Sequence, residues 1–199
     1  MSAKTHPRLA VEPYHLGKSR TGRAVLAEVF TGSSCGPCVG VDRAFDAVID
    51  RYERQDVVVL MHHVHVPAPD PLANRANETR EKFYGFEDAP RYFIDGVQPT
   101  SAGGGTADEA AAILSKGIEP ALQDELAKRP DARLSLRVST RAGSVRVAVT
   151  ADHIKQPSSA IRLHSSASVP LETPIACFVP QYSARCFSNR STRGPRMKS

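Results

Sequence analysis

Residues 24–30, Ala-Val-Leu-Ala-Glu-Val-Phe, make a short apolar run that ends in Thr31-Gly32-Ser33-Ser34 and leads at once into Cys35-Gly36-Pro37-Cys38. A segment with helical spacing, residues 39–52, follows. A short apolar run closed by turn residues reads as a buried strand, and a three- to four-residue apolar repeat reads as an amphipathic helix. The pair of cysteines is therefore expected at a strand-to-helix turn. Pro37 fits the first helical turn, where its missing N–H leaves no bond unmade. Three chemistries suit two cysteines at this spacing: a redox couple, a static disulfide, or half of a zinc site. The chain has no second Cys-x-x-Cys to complete a zinc ribbon.

The elements before and after the turn can be read in order. Residues 1–22 are polar, broken by Pro7, Pro13 and Gly17, with a short extended piece over residues 9–16 suited to a sheet edge. In the helix after the cysteines, Val41, Phe45, Val48, Ile49 and Tyr52 predict the apolar face. Asp42, Arg43, Asp46, Asp50 and Arg51 predict the wet one. Residues 56–66 form a second strand whose continuous Val/Leu run predicts burial on both faces, as in the centre of a partly parallel sheet. Residues 73–84 predict a polar-faced helix closed by Gly85. Residues 91–94 are a short strand, with Asp95-Gly96 turning into a returning Val97-Gln98. After a flexible loop, Gly103-Gly104-Gly105, Thr106 caps a long helix to about residue 128, weakened or broken near Gly117 and Pro120. Residues 132–139 and 144–152 alternate as a β-hairpin.

Four regions result: an N-terminal extension or edge strand over 1–22, an α/β domain over 23–130, a β-hairpin region over 131–164, and a basic Ser/Arg/Pro-rich tail over 165–199. The hairpin region is the possible start of a truncated β domain. The tail lacks sustained periodicity and is expected to be disordered.

Charge location removes one class of function. Seven basic residues and one acid lie from Lys155 onward, a net of +6, so residues 1–154 carry −1 of the total of +5. A nucleic-acid face needs cations clustered on the folded surface, and the α/β domain lacks the excess to build one. No apolar run nears the roughly 20 residues that span a bilayer. The first residues, Met1-Ser2-Ala3-Lys4-Thr5-His6-Pro7-Arg8, have no apolar core of a secretory signal. A chain starting here is expected in the cytoplasm; with an upstream segment it is expected to be exported. The other two cysteines, Cys177 and Cys186, have no recognisable spacing.

The order strand, Cys-Gly-Pro-Cys, helix, strand, helix, then Ala89-Pro90 leading into a strand, resembles the thioredoxin superfamily. Cys35-Gly36-Pro37-Cys38 is identical to the thioredoxin motif, and residues 88–96, Asp-Ala-Pro-Arg-Tyr-Phe-Ile-Asp-Gly, are similar to the family's cis-proline strand and turn. The resemblance covers about residues 20–128. Residues 28–35, Glu-Val-Phe-Thr-Gly-Ser-Ser-Cys, look more like thioredoxin-like domains of multi-domain bacterial proteins. Ser34 stands where thioredoxin commonly has tryptophan, and the chain contains no Trp. The fold implied is α/β and thioredoxin-like, a central mixed sheet flanked by helices.

The resemblance implies a thiol–disulfide oxidoreductase acting on protein disulfides or dithiols, fed by a redox partner that the sequence does not identify, with no organic cofactor. Gly36-Pro37 resembles the reducing members. Cys35 is the expected attacking sulfur, because the helix dipole and unpaired N–H groups at a helix N-terminus favour a thiolate. Cys38 is the expected resolving sulfur. Gly36 lets a substrate backbone approach and Pro37 stiffens the turn. Pro90, cis by the resemblance, is expected against the two sulfurs, keeping metals from them, with the Ala89 backbone pairing to a substrate peptide. Glu28, a carboxylate in a buried strand, is the candidate acid beneath the resolving cysteine, displaced by one residue from the family's aspartate. Its other reading is an edge-facing glutamate in a salt bridge. His62, His63 and His65 lie on one strand, so the three do not converge on one metal, and packing or polar contacts are expected of them. Two alternative functions stand beside the enzyme: a non-catalytic thioredoxin-like module of a larger protein, and a metal-binding chaperone.

Overall fold

The computed structural model describes residues 8–13, 22–99, 103–141, 144–155, 162–163 and 185–186. The chain divides into two compact units between Arg129 and Pro130.

The first unit is α/β. Strand β1 (Val25–Thr31) lies between β2 (Val57–His63), parallel to it, and β3 (Arg91–Ile94), antiparallel to it. Side chains alternate along β1 and so divide the core in two. Val25, Ala27 and Val29 pack with Val41, Phe45 and Val48 of helix α1 (Cys38–Arg51) and with Ile118 and Leu122 farther along the chain. Phe30 packs on the other face with Val64, Phe93, Tyr84 and Phe86. That second cluster is aromatic: Phe30 meets the edges of Phe86 and Phe93, and Tyr84 stacks on Phe93 at 3.7 Å.

Helix α2 (Arg75–Tyr84) is capped at both ends: the Asn74 side chain accepts from the N–H groups of Ala76 and Asn77, and Gly85 closes it at φ 72°. Helix α3 (Ala107–Ile113) opens with a capping box between Thr106 and Glu109. The long helix is not broken at Gly117 and Pro120. It runs through a π segment, Leu114–Ile118, into α4 (Glu119–Ala127), with Pro120 in the first turn of α4. That position tolerates the missing N–H.

Four expectations change. Strand β2 is at the edge of the described sheet rather than its centre, and Val58 and Met61 are each 39% exposed. A β-branched run encodes strand propensity whether or not both faces are covered. In α1, Arg43 is buried and Asp42 half-buried, whereas Ile49 is 54% exposed. The neighbours that cover a helix face come from elsewhere in the chain. The Asp95-Gly96 turn is present, with φ of 46° and 82°, but the return is only a bridge from Ile94 to Val97. Asp95 is instead drawn back to β1, where its Oδ1 accepts from the Leu26 N–H at 2.8 Å. At the N-terminus, Leu9 and Val11 lean on the core without forming a strand. The rest of that extended piece, residues 14–16, lies outside the described residues.

The second unit holds the hairpin of β4 (Arg133–Arg141) and β5 (Ser144–Asp152), and a short parallel pair, β6 (Arg162–Leu163) with β7 (Arg185–Cys186). Leu134, Leu136 and Val138 of β4 are each more than 60% exposed. Of the tail expected to be disordered, Arg185 and Cys186 form β7, and the remainder lies outside the described residues, as does Cys177.

Candidate functional site

Cys35 and Cys38 are joined by a disulfide, with Cα atoms 5.3 Å apart. Cys38 is the first residue of α1 and Pro37 its N-cap, so Cys35 and Gly36 form the turn before the helix. Cys38 is fully buried and Cys35 is 5% exposed. The space where a Gly36 side chain would stand is open.

The peptide bond between Ala89 and Pro90 is cis, and the Ala89 carbonyl oxygen lies 3.8 Å from Cys35 Sγ. A third strip of backbone completes the surround. The Gly104 N–H donates to the Pro37 carbonyl at 2.8 Å, and the Gly40 N–H donates to the Gly104 carbonyl at 2.5 Å. Gly103 lies between Pro37 and Pro90: a Cβ added there would come within 2.8 Å of Pro37 Cβ and 3.3 Å of Pro90 Cγ. The turn, the cis-proline loop and the glycine loop thus meet around one disulfide. The N–H groups of Cys38, Val39 and Gly40 are all taken, by the carbonyls of Cys35, Gly36 and Gly104. Any stabilisation of a thiolate here therefore comes from the helix field rather than from free donors.

The glycine loop is a further residue set that sequence reading treated only as flexible linkage. Replacing Gly40 by alanine is a direct test of its contact. A Cβ there would sit 2.6 Å from the Gly104 carbonyl oxygen, which is backbone and cannot rotate away. Glycine to alanine inside an unobstructed helix gains about 1 kcal/mol. Here the overlap should reverse the sign and cost about 1–3 kcal/mol, read as a lower urea midpoint.

Two carboxylates, one on β1 and one on α1, are shifted in opposite directions. Glu28 is on the α2 face of the sheet, in register with Phe93. Burial pushes its carboxyl up, but hydrogen bonds from Arg80, His62 and Tyr84 outweigh this and hold it at about 2. Arg80 donates from Nε and Nη2, each at 2.6 Å, and the Tyr84 hydroxyl donates at 2.6 Å. His62 Nε2 is 3.3 Å away. The structure does not bring Glu28 to the cysteines: no hydrogen bond links them, and α1 packs on the other face of the sheet. Shifting by one residue along a strand moves a side chain to the opposite face.

Asp42, on α1, is the second carboxylate. Its Oδ2 accepts from the Thr31 hydroxyl at 2.9 Å, while its Oδ1 is buried with no hydrogen-bond partner. Burial raises its pKa to about 6, against the opposing Thr31 bond. The sequence reading placed Asp42 on the wet face. The available signal was its spacing, four residues after Cys38.

The histidines divide, His62 to Glu28 and Asn77, His63 and His65 both to Asp70. His62 also reaches Asn77 Oδ1, His63 Nδ1 is 3.0 Å from Asp70 Oδ2, and His65 Nδ1 accepts the Asp70 N–H. Asp70 also accepts from the Ser33 N–H at 2.5 Å, tying the segment before Cys35 to the loop after β2. The His63 and Ser33 bonds hold its carboxyl far below the usual range. Among the described residues no group of three His, Cys, Asp or Glu side chains is arranged to hold a metal. No helix among them is long and apolar enough to cross a membrane.

The fold and site together define an α/β unit with a mixed three-stranded sheet and a disulfide at a strand-to-helix turn. Compared with protein-family models, curated proteins and solved structures, the chain has no match.

Proposed function

We propose that the first unit is a thioredoxin-like thiol–disulfide oxidoreductase that cycles Cys35 and Cys38 between dithiol and disulfide on protein substrates. The observation that carries this reading is the surround of the disulfide: the Ala89–Pro90 loop and the Gly103–Gly104 backbone converge on the turn that carries the pair at the start of α1, with the Ala89 carbonyl 3.8 Å from Cys35 Sγ. A static crosslink needs none of that apparatus. In the reductive direction, the Cys35 thiolate attacks a substrate disulfide, forming a Cys35–substrate bond and releasing one substrate thiolate, which takes up a proton. Cys38 then attacks Cys35 Sγ, the internal disulfide forms, and the second substrate thiol leaves. Two electrons pass from the protein to the substrate, and an external dithiol returns them. Ala89 supplies a backbone carbonyl beside Cys35, and open space over Gly36 gives a substrate chain room to approach. The Gly36-Pro37 pair favours the reducing direction by its likeness to reducing members.

A second reading, a non-catalytic thioredoxin-like module, is favoured by one observation in the other unit. The β4 face carries Leu134, Leu136 and Val138 uncovered, as in a segment that joins other structure. Reduction of insulin by dithiothreitol separates the two. An oxidoreductase at micromolar concentration should bring forward the precipitation of the insulin B chain severalfold. A time course identical to the protein-free reaction would defeat the enzymatic reading.

A further inference from the structure

We propose that Asp70 is the positioning residue of the attacking cysteine, anchoring the turn that carries Cys35 to the loop after β2. This rests on the redox reading above and assigns it a residue that the sequence did not single out.

The anchor begins as a buried charge on a loop. Asp70 lies in the segment Pro67-Ala68-Pro69-Asp70-Pro71, and its side chain is 1% exposed. A buried carboxylate is costly unless polar partners surround it. Asp70 has three. Its Oδ1 accepts from the Leu72 N–H at 2.8 Å. Its Oδ2 accepts from the Ser33 N–H at 2.5 Å and lies 3.0 Å from His63 Nδ1. The Leu72 bond closes a local turn, as an aspartate commonly does with the residue two places on. The Ser33 bond serves no local turn, because it crosses 37 residues of chain.

The loop is stiff at this point. Pro67, Pro69 and Pro71 fix φ at every second residue. The Asp70 N–H donates to His65 Nδ1 at 2.9 Å, and the Asp70 carbonyl accepts from the Ala73 N–H at 3.2 Å. The His63 and Ser33 bonds hold the carboxyl far below the usual range, so it stays ionised where a thiol titrates.

What Asp70 holds is otherwise weakly fixed. The Cys35 N–H donates to the Gly32 carbonyl at 3.0 Å, closing a β-turn with Ser33 and Ser34 at its corners. Both serines are exposed, so core packing does not hold them. Three successive backbone links to the loop after β2 do so instead. The Thr31 carbonyl accepts from the Val64 N–H at 2.9 Å. Gly32 lies against the Val66 carbonyl, where a Cβ would stand 2.2 Å from the oxygen. Ser33 is bound by Asp70, which makes the last of the three links, two residues before Cys35. In the disulfide form the bond to Cys38 also holds Cys35. In the dithiol form that crosslink is gone, and the backbone bonds of the turn must aim Cys35 Sγ at a substrate lying along the Ala89 carbonyl.

The experiment compares two electrophiles on the full-length reduced protein at pH 7, iodoacetamide and a peptide disulfide, with reaction at Cys35 read by digestion and mass spectrometry. Asp70→Ala should attack the peptide disulfide about 10–100-fold more slowly, the effect of misplacing a reacting atom by about 1 Å. Its alkylation should be no slower than wild type, because a small electrophile needs a thiolate but little alignment. Removing an anion favours a neighbouring thiolate, so charge does not account for a slower attack. Asp70→Asn keeps the side-chain shape and one acceptor oxygen; it should fall between the two, and it carries the test if Asp70→Ala does not fold. Adding Ser33→Pro to either variant should recover part of the peptide rate. Proline presets the first corner of a β-turn, and Ser33 is not among the residues with positive φ. A merely structural Asp70 would lower the urea midpoint without splitting the two reagents and without this rescue. Attack on the peptide at the wild-type rate, equal slowing toward both reagents, or no recovery with Ser33→Pro overturns the assignment and leaves the redox reading standing. A wild-type protein whose Cys35 does not attack the peptide disulfide overturns both.

Discussion

Replacing Glu28 by glutamine is expected to lower the unfolding free energy at pH 7 by about 3–5 kcal/mol, the usual cost of removing one partner from a buried ion pair. The substitution keeps the side-chain shape and removes the charge that three groups converge on. Arg80 would be left facing a neutral amide in a pocket where the Glu28 side chain is only 4% exposed. The Tyr84 hydroxyl, stacked by its ring on Phe93, would lose its strong acceptor. The pH dependence gives an independent magnitude. The folded carboxyl is held at about 2 against an ordinary 4.5. Tenfold in a proton-binding constant corresponds to about 1.36 kcal/mol, so the gap between the two values amounts to about 3 kcal/mol. The folded value is depressed, so this stability is fully present above pH 4.5 and is lost as pH falls through 2. Wild type and Glu28→Gln should differ most at neutral pH and converge in acid. Urea midpoints at pH 7 and pH 3 measure the full difference and one already cut by about half, since pH 3 lies inside the window between 2 and 4.5. Equal midpoints at pH 7 would mean that the web around Glu28 contributes nothing net.

The second large effect is an asymmetry between the two sulfurs. Cys35→Ser should reduce insulin turnover to the uncatalysed rate, because the thiol of the only cysteine of the pair with any exposed surface is gone. Cys38→Ser should also stop turnover, but for another reason. It leaves an attacking thiol without a resolving one, so substrate accumulates on Cys35. A structural disulfide predicts no such difference: either serine would break the crosslink equally, and the two variants would lose the same stability and show the same absent chemistry. The order is set by position. Cys35 lies in the turn beside the Ala89 carbonyl and the open space over Gly36, while Cys38 is the first residue of the helix and fully covered.

The features legible in the sequence were those fixed by local chemistry. The strand before Cys35, the helix after Cys38, the cap of the helix at Thr106 and the turn at Asp95-Gly96 all follow from short-range preference, and each is present. The cis bond at Pro90 was legible only by resemblance. What could not be read depends on partners distant in the chain. Glu28 is bound by Arg80 and Tyr84, 52 and 56 residues away, and a strand's own pattern says nothing of them. Arg43 and Asp42 looked like wet-face residues because helical periodicity ranks faces by hydrophobicity, not by what packs against them. The same limit explains β2. Its valines promised burial, but the described sheet ends there. The glycine loop was read as slack because close approach of two backbones leaves no mark in composition.

The enzymatic reading is tested most directly by trapping its first covalent intermediate. The Cys38→Ser protein, reduced and then mixed with a peptide carrying one disulfide, is quenched in acid, digested and weighed by mass spectrometry. A thiol–disulfide oxidoreductase should carry half of the peptide on Cys35, near one per chain, with none on the Cys35→Ser/Cys38→Ser double variant. An unmodified Cys35, or labelling of Cys177 and Cys186 at the same rate, would contradict it.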